Sequence, residues 1–204
     1  MIKAPLLATI SALLSTATLA ALAPTAHAQV VTEQAPPKFP DPKKFAKGFF
    51  LSGEIGATTY FGKLGKAASP GLSFGVRTGY DIFRYLSIEL RVSGQSSSAT
   101  TPPPVLGQTF QLFLYGGDIR VTLPIKQVSL SLEGGAALGH LSSNVLQPIG
   151  INRKLGLVAL GGLVIDYHTL NRHFSVGLAA DYLYLHHFGR AHGLQTVAYL
   201  RYTH

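Results

Sequence analysis

The chain has 204 residues, 13% of them charged and 47% hydrophobic, and 17 Lys and Arg against 9 Asp and Glu give a formal charge of +8. An ordinary soluble domain is about 25% charged, so the composition argues against a typical soluble enzyme, and the apolar content argues against a disordered chain. The absence of cysteine excludes disulfide frameworks, zinc-thiolate and iron–sulfur sites, cysteine nucleophiles and lipid anchoring through an N-terminal Cys.

In chain order, Lys3 precedes an apolar stretch from Ala4 to Ala23, Pro24 interrupts it, and Ala26-His27-Ala28 supplies a small-x-small cleavage pattern. Residues 1–28 therefore read as an export signal cleaved after Ala28, its Ser and Thr interruptions speaking against an uncleaved membrane anchor. Loss of Lys3 with it lowers the charge by one. Residues 29–47 hold four prolines and four lysines without apolar periodicity, which predicts an extended periplasmic linker. Its lysines are either simply solvated or in contact with an acidic polymer or lipid head groups.

From Gly48 the longest apolar run is Leu155 to Ile165, too short for a helix that needs about 20 residues to cross a bilayer. Alternation explains why the mean hydropathy is nevertheless +0.26. Phe49–Tyr60 sets Phe49, Leu51, Ile55 and Ala57 against Ser52, Glu54, Gly56 and Thr58. Leu72–Asp81 sets Leu72, Phe74, Val76 and Tyr80 against Ser73, Gly75, Arg77 and Asp81, and Leu86–Ser93 sets Leu86, Ile88, Leu90 and Val92 against Ser87, Glu89, Arg91 and Ser93. Phe110–Thr122 and Val128–Gly139 continue the pattern, with Asp118, Arg120 and Glu133 on their polar faces. Leu155–Tyr167 is apolar on both faces except at Asp166; Phe174–Tyr184 and Leu194–Thr203 alternate again, with Asp181 and Arg201 on the polar side.

Eight such segments suit a membrane-crossing strand, about 9–11 residues when tilted, better than the soluble mode of about 5–6. Tight connections near Ile82–Tyr85, Leu123–Gln127 and His168–Arg172 alternate with longer ones near Phe61–Pro70, Gly94–Gln108, His140–Asn152 and Leu185–His192, as in transmembrane barrels. Aromatics near strand ends form two expected rims: Phe49, Tyr80, Tyr85, Tyr167, Phe174 and Tyr202 on the periplasmic side, Tyr60, Phe110, Tyr182 and Tyr184 on the outer. The predicted architecture is an all-β, eight-stranded antiparallel transmembrane β-barrel over residues 48–204.

A soluble barrel with its apolar face inward would alternate in the same way. The polar face here, however, is Ser, Gly and Thr rather than a dense Lys/Glu coat, and small residues suit a crowded eight-strand interior. Seven of the nine acids lie on it: Glu54, Asp81, Glu89, Asp118, Glu133, Asp166 and Asp181, with Arg77, Arg91, Arg120 and Arg201. Because buried charges must be paired, these eleven are expected to form a structural ion-pair and hydrogen-bond network filling the lumen. A gated polar path or proton relay is the functional alternative.

The stretch GLSFGVRTGYDIFRYLSIELRVSG, Gly71 to Gly94, resembles a hairpin of the small Gram-negative outer-membrane barrels of the OmpA/OmpX/OmpW-like class. The end VAYLRYTH resembles their C-terminal assembly signal, with Leu200 and Tyr202 matching and His204 standing where Phe is usual. The resemblance implies residence in the outer membrane among lipid and lipopolysaccharide, and insertion by the barrel assembly machinery. It leaves room for an unidentified surface or periplasmic protein partner, and for a narrow channel for small or apolar solutes.

Some barrels of this class modify lipid A, and LRYTH resembles the His of a lipid A deacylase motif without its following Ser. Catalysis there would draw on His140, His186, His187 and His192, with Ser142, Ser143 and Asp181 near in sequence, but a base needs its nucleophile and acid in hydrogen-bond reach. The histidine spacing is not that of a metal site. No cofactor is expected, no catalytic set is assigned, and no basic cluster with interleaved aromatics points to nucleic acid. Lys63, Lys66, Arg153, Lys154 and Arg190 fall near the outer ends, solvated or against lipopolysaccharide phosphates.

Overall fold

A computed structural model describes residues 48–100, 108–142, 145–147, 150–169 and 173–204. The signal and linker readings lie outside these residues. Eight antiparallel strands follow in order: β1 Phe49–Phe61, β2 Gly71–Phe83, β3 Leu86–Ser98, β4 Thr109–Ile125, β5 Val128–Leu141, β6 Leu155–His168, β7 Phe174–Leu185 and β8 Ala191–Thr203. Each pairs with its sequence neighbours, and β1 pairs with β8 from Phe50↔Thr203 to Phe61↔His192, closing a barrel. One short helix, α1 (Gly62–Ala67), lies between β1 and β2. Closure leaves no unpaired sheet edge.

Strand phase decides what each wall carries, because successive side chains point to opposite faces. Along β1, Phe49, Leu51, Ile55 and Ala57 are exposed while Phe50, Ser52, Glu54, Thr58 and Tyr60 are buried. Leu90, Val92, Ile119, Val121, Leu132, Leu163, Leu178 and Leu200 continue the exposed apolar belt around the ring. All eight strands predicted from alternation are present with the expected phase.

The strands extend further than alternation suggested. β3 continues through Gly94, Gln95 and Ser96 to Ser98, and β8 starts at Ala191, so the connections at that end are shorter than the sequence implied. Residues 94–98 lack an apolar face because Gly94, Ser96 and Ser98 hold the outward positions, with Phe74 and Leu72 of β2 beside the first two. Two expected rim aromatics also point the other way: Tyr60 and Phe110 share the parity of Glu54 and Asp118 and are buried inside. The six aromatics expected at the opposite rim are all exposed, as is Tyr182, while Tyr184 is half-buried.

The end of the barrel holding the β1 start and the β8 finish is called the terminal end, and the other the loop end. At the terminal end β4 and β5 are joined by Lys126 and Gln127 alone, with Lys126 at φ 56°. At the loop end residues 186–190 turn back through Gly189 at φ 72°, a conformation that favours glycine, and this carries Phe188 into the lumen.

Candidate functional site

The lumen is stratified. Its loop end is an apolar cap: Tyr60, Phe110, Leu112, Leu141 and Leu185 from the strands, Leu64 from α1, and Leu146, Ile151 and Phe188 from the loops. The Phe188 ring lies over Gly139 and Gly156, where a side chain would collide; a Cβ at Gly156 would sit 2.7 Å from it. The space left among these residues holds about one water-sized body. Alternation did not reveal this cap. β6 is apolar on both faces because its inward Val158, Leu160 and Val164 are buried, some of them against the cap.

Beneath the cap on the β8–β1–β2–β3 side is a neutral polar layer. The Tyr60 hydroxyl donates to Gln95 Oε1 at 2.6 Å, Gln95 Nε2 donates to Gln195 Oε1 at 3.4 Å, and Gln195 Nε2 donates to Ser73 Oγ at 2.5 Å.

Below this lie the charges named from sequence. Arg77 on β2 donates through Nε to Glu54 Oε2 at 2.5 Å, through Nη1 to Glu133 Oε1 at 2.7 Å, and through Nη2 to Asp181 Oδ2 at 3.1 Å. Arg91 on β3 reaches Asp118 Oδ2 at 2.8 Å, Asp181 Oδ2 at 2.6 Å and Glu133 Oε1 at 2.5 Å. Arg120 on β4 pairs with Glu89 through Nε to Oε1 at 2.8 Å and donates through Nη2 to Glu133 Oε2 at 3.1 Å. Its Nη1 donates to the Tyr199 hydroxyl at 3.4 Å, and that hydroxyl donates to Asp166 Oδ1. Glu133 is thus the hub, touched by all three guanidinium groups. The register places Arg77 opposite Arg91; the two like charges are held side by side because Glu133 and Asp181 each bridge them. Every charged group in this layer is buried.

Arg201 and Asp81 stand apart at the terminal end. Arg201 Nη2 donates to both Asp81 oxygens, at 2.7 and 2.6 Å, and the guanidinium lies 3.6 Å from the centroid of the Phe50 ring. The eleven residues therefore divide into two groups: Glu54, Arg77, Glu89, Arg91, Asp118, Arg120, Glu133, Asp166 and Asp181 in one layer, and the Arg201–Asp81 pair at the mouth. Six carboxylates share three arginines in the main layer, so it is less balanced than the mixed signs in the sequence suggested.

Inward glycines make room for the carboxylates. A Cβ at Gly162 would lie 2.1 Å from Asp181 Oδ1, and one at Gly135 would lie 2.3 Å from Asp118 Oδ1. Such slots are invisible in the sequence, where glycine on the polar face reads only as a small residue suited to a crowded interior.

The histidines weighed for chemistry lie elsewhere. His192 sits on the outer face of β8, its Nδ1 bonded to the Tyr182 hydroxyl. His187 Nδ1 accepts from the Leu157 backbone N–H at 3.0 Å, and the exposed His186 packs edge-on against His187 at 4.7 Å between centroids. His140 has the outward parity of β5, and Ser142 Oγ accepts from the Gln111 N–H at 3.2 Å. Asp181 faces the lumen on β7, whereas His140 and His192 have outward parity and His186 and His187 lie in the turn between β7 and β8. Ser143 lies outside the described residues. Among the described residues no three His, Asp or Glu side chains converge as a metal site requires. Leu200 and Tyr202 face outward on β8, and His204 is exposed, its backbone N–H bonded to Phe49 O at 2.9 Å.

No family model matches the sequence, and none of the curated proteins does. Among solved structures the chain is similar to Neisserial surface protein A (NspA), with TM-score 0.59 at 15% identity over 78% of this chain and 99% of that one. It is also similar to the outer membrane protein OprG from Pseudomonas aeruginosa, with TM-score 0.54 at 11% identity over 80% of this chain and all of that one, 100%. Likeness at these identities establishes fold: the chain has the architecture of the small eight-stranded outer-membrane β-barrels.

Proposed function

We propose that the chain is an exported, integral outer-membrane barrel whose role is structural or surface-interacting and not enzymatic. The observation that carries this reading is the inverted wall, apolar outside and charged within. In water a continuous apolar belt is a liability, and a buried charge layer gives little stability in return. Lipid removes the first cost, and a layer in which Arg77, Arg91 and Arg120 each meet several carboxylates offsets the second. The two neighbours are named as a surface protein and an outer membrane protein, which supports the same placement.

In this reading the signal is cut after Ala28, residues 29–47 lie in the periplasm, and the barrel assembly machinery inserts the strands. Leu200, Tyr202 and His204 form the assembly signal, and the outward exposure of Leu200 and Tyr202 leaves them open to a recognising surface. The charged layer serves to hold the lumen shut. A narrow channel for apolar solutes draws support from the apolar lining of the loop end; the Phe188 plug and the ionic layer stand against it. A lipid A–modifying site has less support, since Asp181 is bonded to Arg77 and Arg91 in the lumen while His140 and His192 point outward.

Membrane fractionation with gels of boiled and unboiled protein tests the reading. The protein is expected in the outer-membrane fraction, with a heat-dependent shift in mobility. Recovery as a soluble periplasmic protein without that shift overturns it.

A further inference from the structure

β6 begins at Leu155, but its pairing with β7 begins only at Val158, opposite Leu185. Past that point the turn at 186–190 takes the place of a strand. The His186 backbone N–H donates to Leu157 O at 3.2 Å, and His187 Nδ1 accepts from the Leu157 N–H at 3.0 Å. An imidazole nitrogen thus stands in for a strand carbonyl. The next residue, Phe188, is 2% exposed and enters the lumen, its own N–H donating to Leu185 O at 3.3 Å. Gly156 seats both side chains: a Cβ there would lie 2.7 Å from Phe188 Cε2 and 2.8 Å from His187 Cβ.

The bond fixes the charge state in which the turn can close. Nδ1 accepts only while it carries no proton, so the imidazole is neutral with its hydrogen on Nε2. An imidazolium has N–H at both nitrogens and would meet the Leu157 N–H donor to donor. No acid is at hand to hold that charge. The charged and titratable groups about the turn are His186 and Arg190 within it, and Arg153 and Lys154 in the loop whose Ile151 would lie 3.8 Å from a Cβ at Gly189. From the barrel come His140 on β5, opposite Leu155, Tyr184 on β7, His192 on β8, and Lys63 and Lys66 on α1. Residues 142–154 and 186–190 contain no Asp or Glu, and Asp181 on β7 is bonded to Arg77 and Arg91. The closed turn is also held against strain, since Arg190 takes φ 52° and a side chain there crowds the following carbonyl.

We propose that residues 186–190 are a proton-sensitive lid on the loop end of the lumen: neutral His187 latches Phe188 inside, and acid releases the turn outward. Histidine is the side chain that changes charge between about pH 5 and 8. The open turn binds one proton more than the closed one. Closure therefore strengthens as pH rises and is lost as it falls, by about tenfold for each pH unit below the titration. Release carries Phe188 out of the cap and uncovers Leu112, Leu141, Leu146, Ile151 and Leu185, its neighbours there, while the ionic layer beneath stays shut. The molecule thus shows an apolar face at the loop end in acid and hides it at neutral pH. The inference stands apart from membrane placement, because the latch is a contact between two segments of this chain.

Amide hydrogen exchange of the purified full chain in detergent tests it, read by NMR at about pH 7.5 and about pH 5 and corrected for the intrinsic rate. The Leu157 amide is expected to lose protection about tenfold or more in acid, while the Ile119 amide in the β3–β4 wall keeps its own. Para-fluorophenylalanine placed at position 188 reads the lid itself: its fluorine signal is expected to broaden with a soluble paramagnetic agent in acid only. His187→Gln, which keeps an acceptor but takes no proton, stays closed at both pH values. His187→Ala lowers Leu157 protection at both, and His186→Gln and His192→Gln keep the pH response. A Leu157 amide equally protected at the two values overturns the proposal, as does a response that survives His187→Gln. Loss of Leu157 protection with position 188 still shielded overturns it too, since latch and plug would then be uncoupled. Simultaneous loss at Ile119 marks general unfolding in place of a lid and counts against it equally.

Discussion

At Gly161–Gly162 and Gly134–Gly135 adjacent glycines have opposite tasks. The outward member of each pair has open space around it, with nothing nearer than 4.0 Å at Gly161 and 3.8 Å at Gly134. The inward member holds back from a carboxylate. Gly161→Ala and Gly134→Ala are therefore expected to leave stability unchanged or raise it by up to about 1 kcal/mol, since strand glycine carries an entropic cost. Gly162→Ala and Gly135→Ala should cost about 1–3 kcal/mol by overpacking. Urea unfolding in lipid vesicles reads the difference, and equal effects within a pair would remove the slot argument. The charge count makes a second prediction. Arg77→Met leaves Glu54, Glu133 and Asp181 short of a cation and should cost about 3–5 kcal/mol. Glu133→Gln, which subtracts from an acid excess, should cost less. The reverse order would mean that the layer is not short of positive charge.

Each strand shows its outer face in the sequence and only part of its inner one. Period-two alternation is legible wherever one face is apolar and the other polar, as in β2, β3 and β5, because lipid and lumen impose opposite demands on neighbouring residues. It fails where the lumen itself turns apolar. Tyr60 and Phe110 read as rim aromatics for that reason, and β6 read as apolar on both faces without indicating what its inner face packs against. The residues of the charge layer were nameable from parity. The choice of Glu133 as hub was not, since it depends on which side chains meet across the barrel, a matter of strand stagger and not of local pattern. The belt makes its own prediction. Ile55, at the middle of β1 and 68% exposed, should tolerate Leu or Val, whereas Ile55→Arg should cost about 2–4 kcal/mol in vesicles. A neutral result for Arg would place β1 away from the hydrocarbon.

The whole molecule is closed twice, by the apolar cap at one level and by the ionic layer at another. Planar-bilayer recordings are expected to show no large, steady conductance. Phe188→Ala should lower stability by about 3–5 kcal/mol without opening a path, because the ionic layer persists beneath it; a large steady current in either protein would refute a sealed lumen. The seam between β1 and β8 adds a constraint on time. Arg77 and Asp181, 104 residues apart, meet only after nearly the whole sheet has formed, and Glu54 on β1 has Tyr199 of β8 as its register partner. Contacts so distant along the chain carry the entropy of closing a long loop before they return any stability. Until the last strand docks, arginines and carboxylates lack partners and two sheet edges lie open, a state that hydrocarbon does not accept. Entry into the bilayer and completion of the ring must therefore be one event, and a chain interrupted before β8 has no stable halfway form.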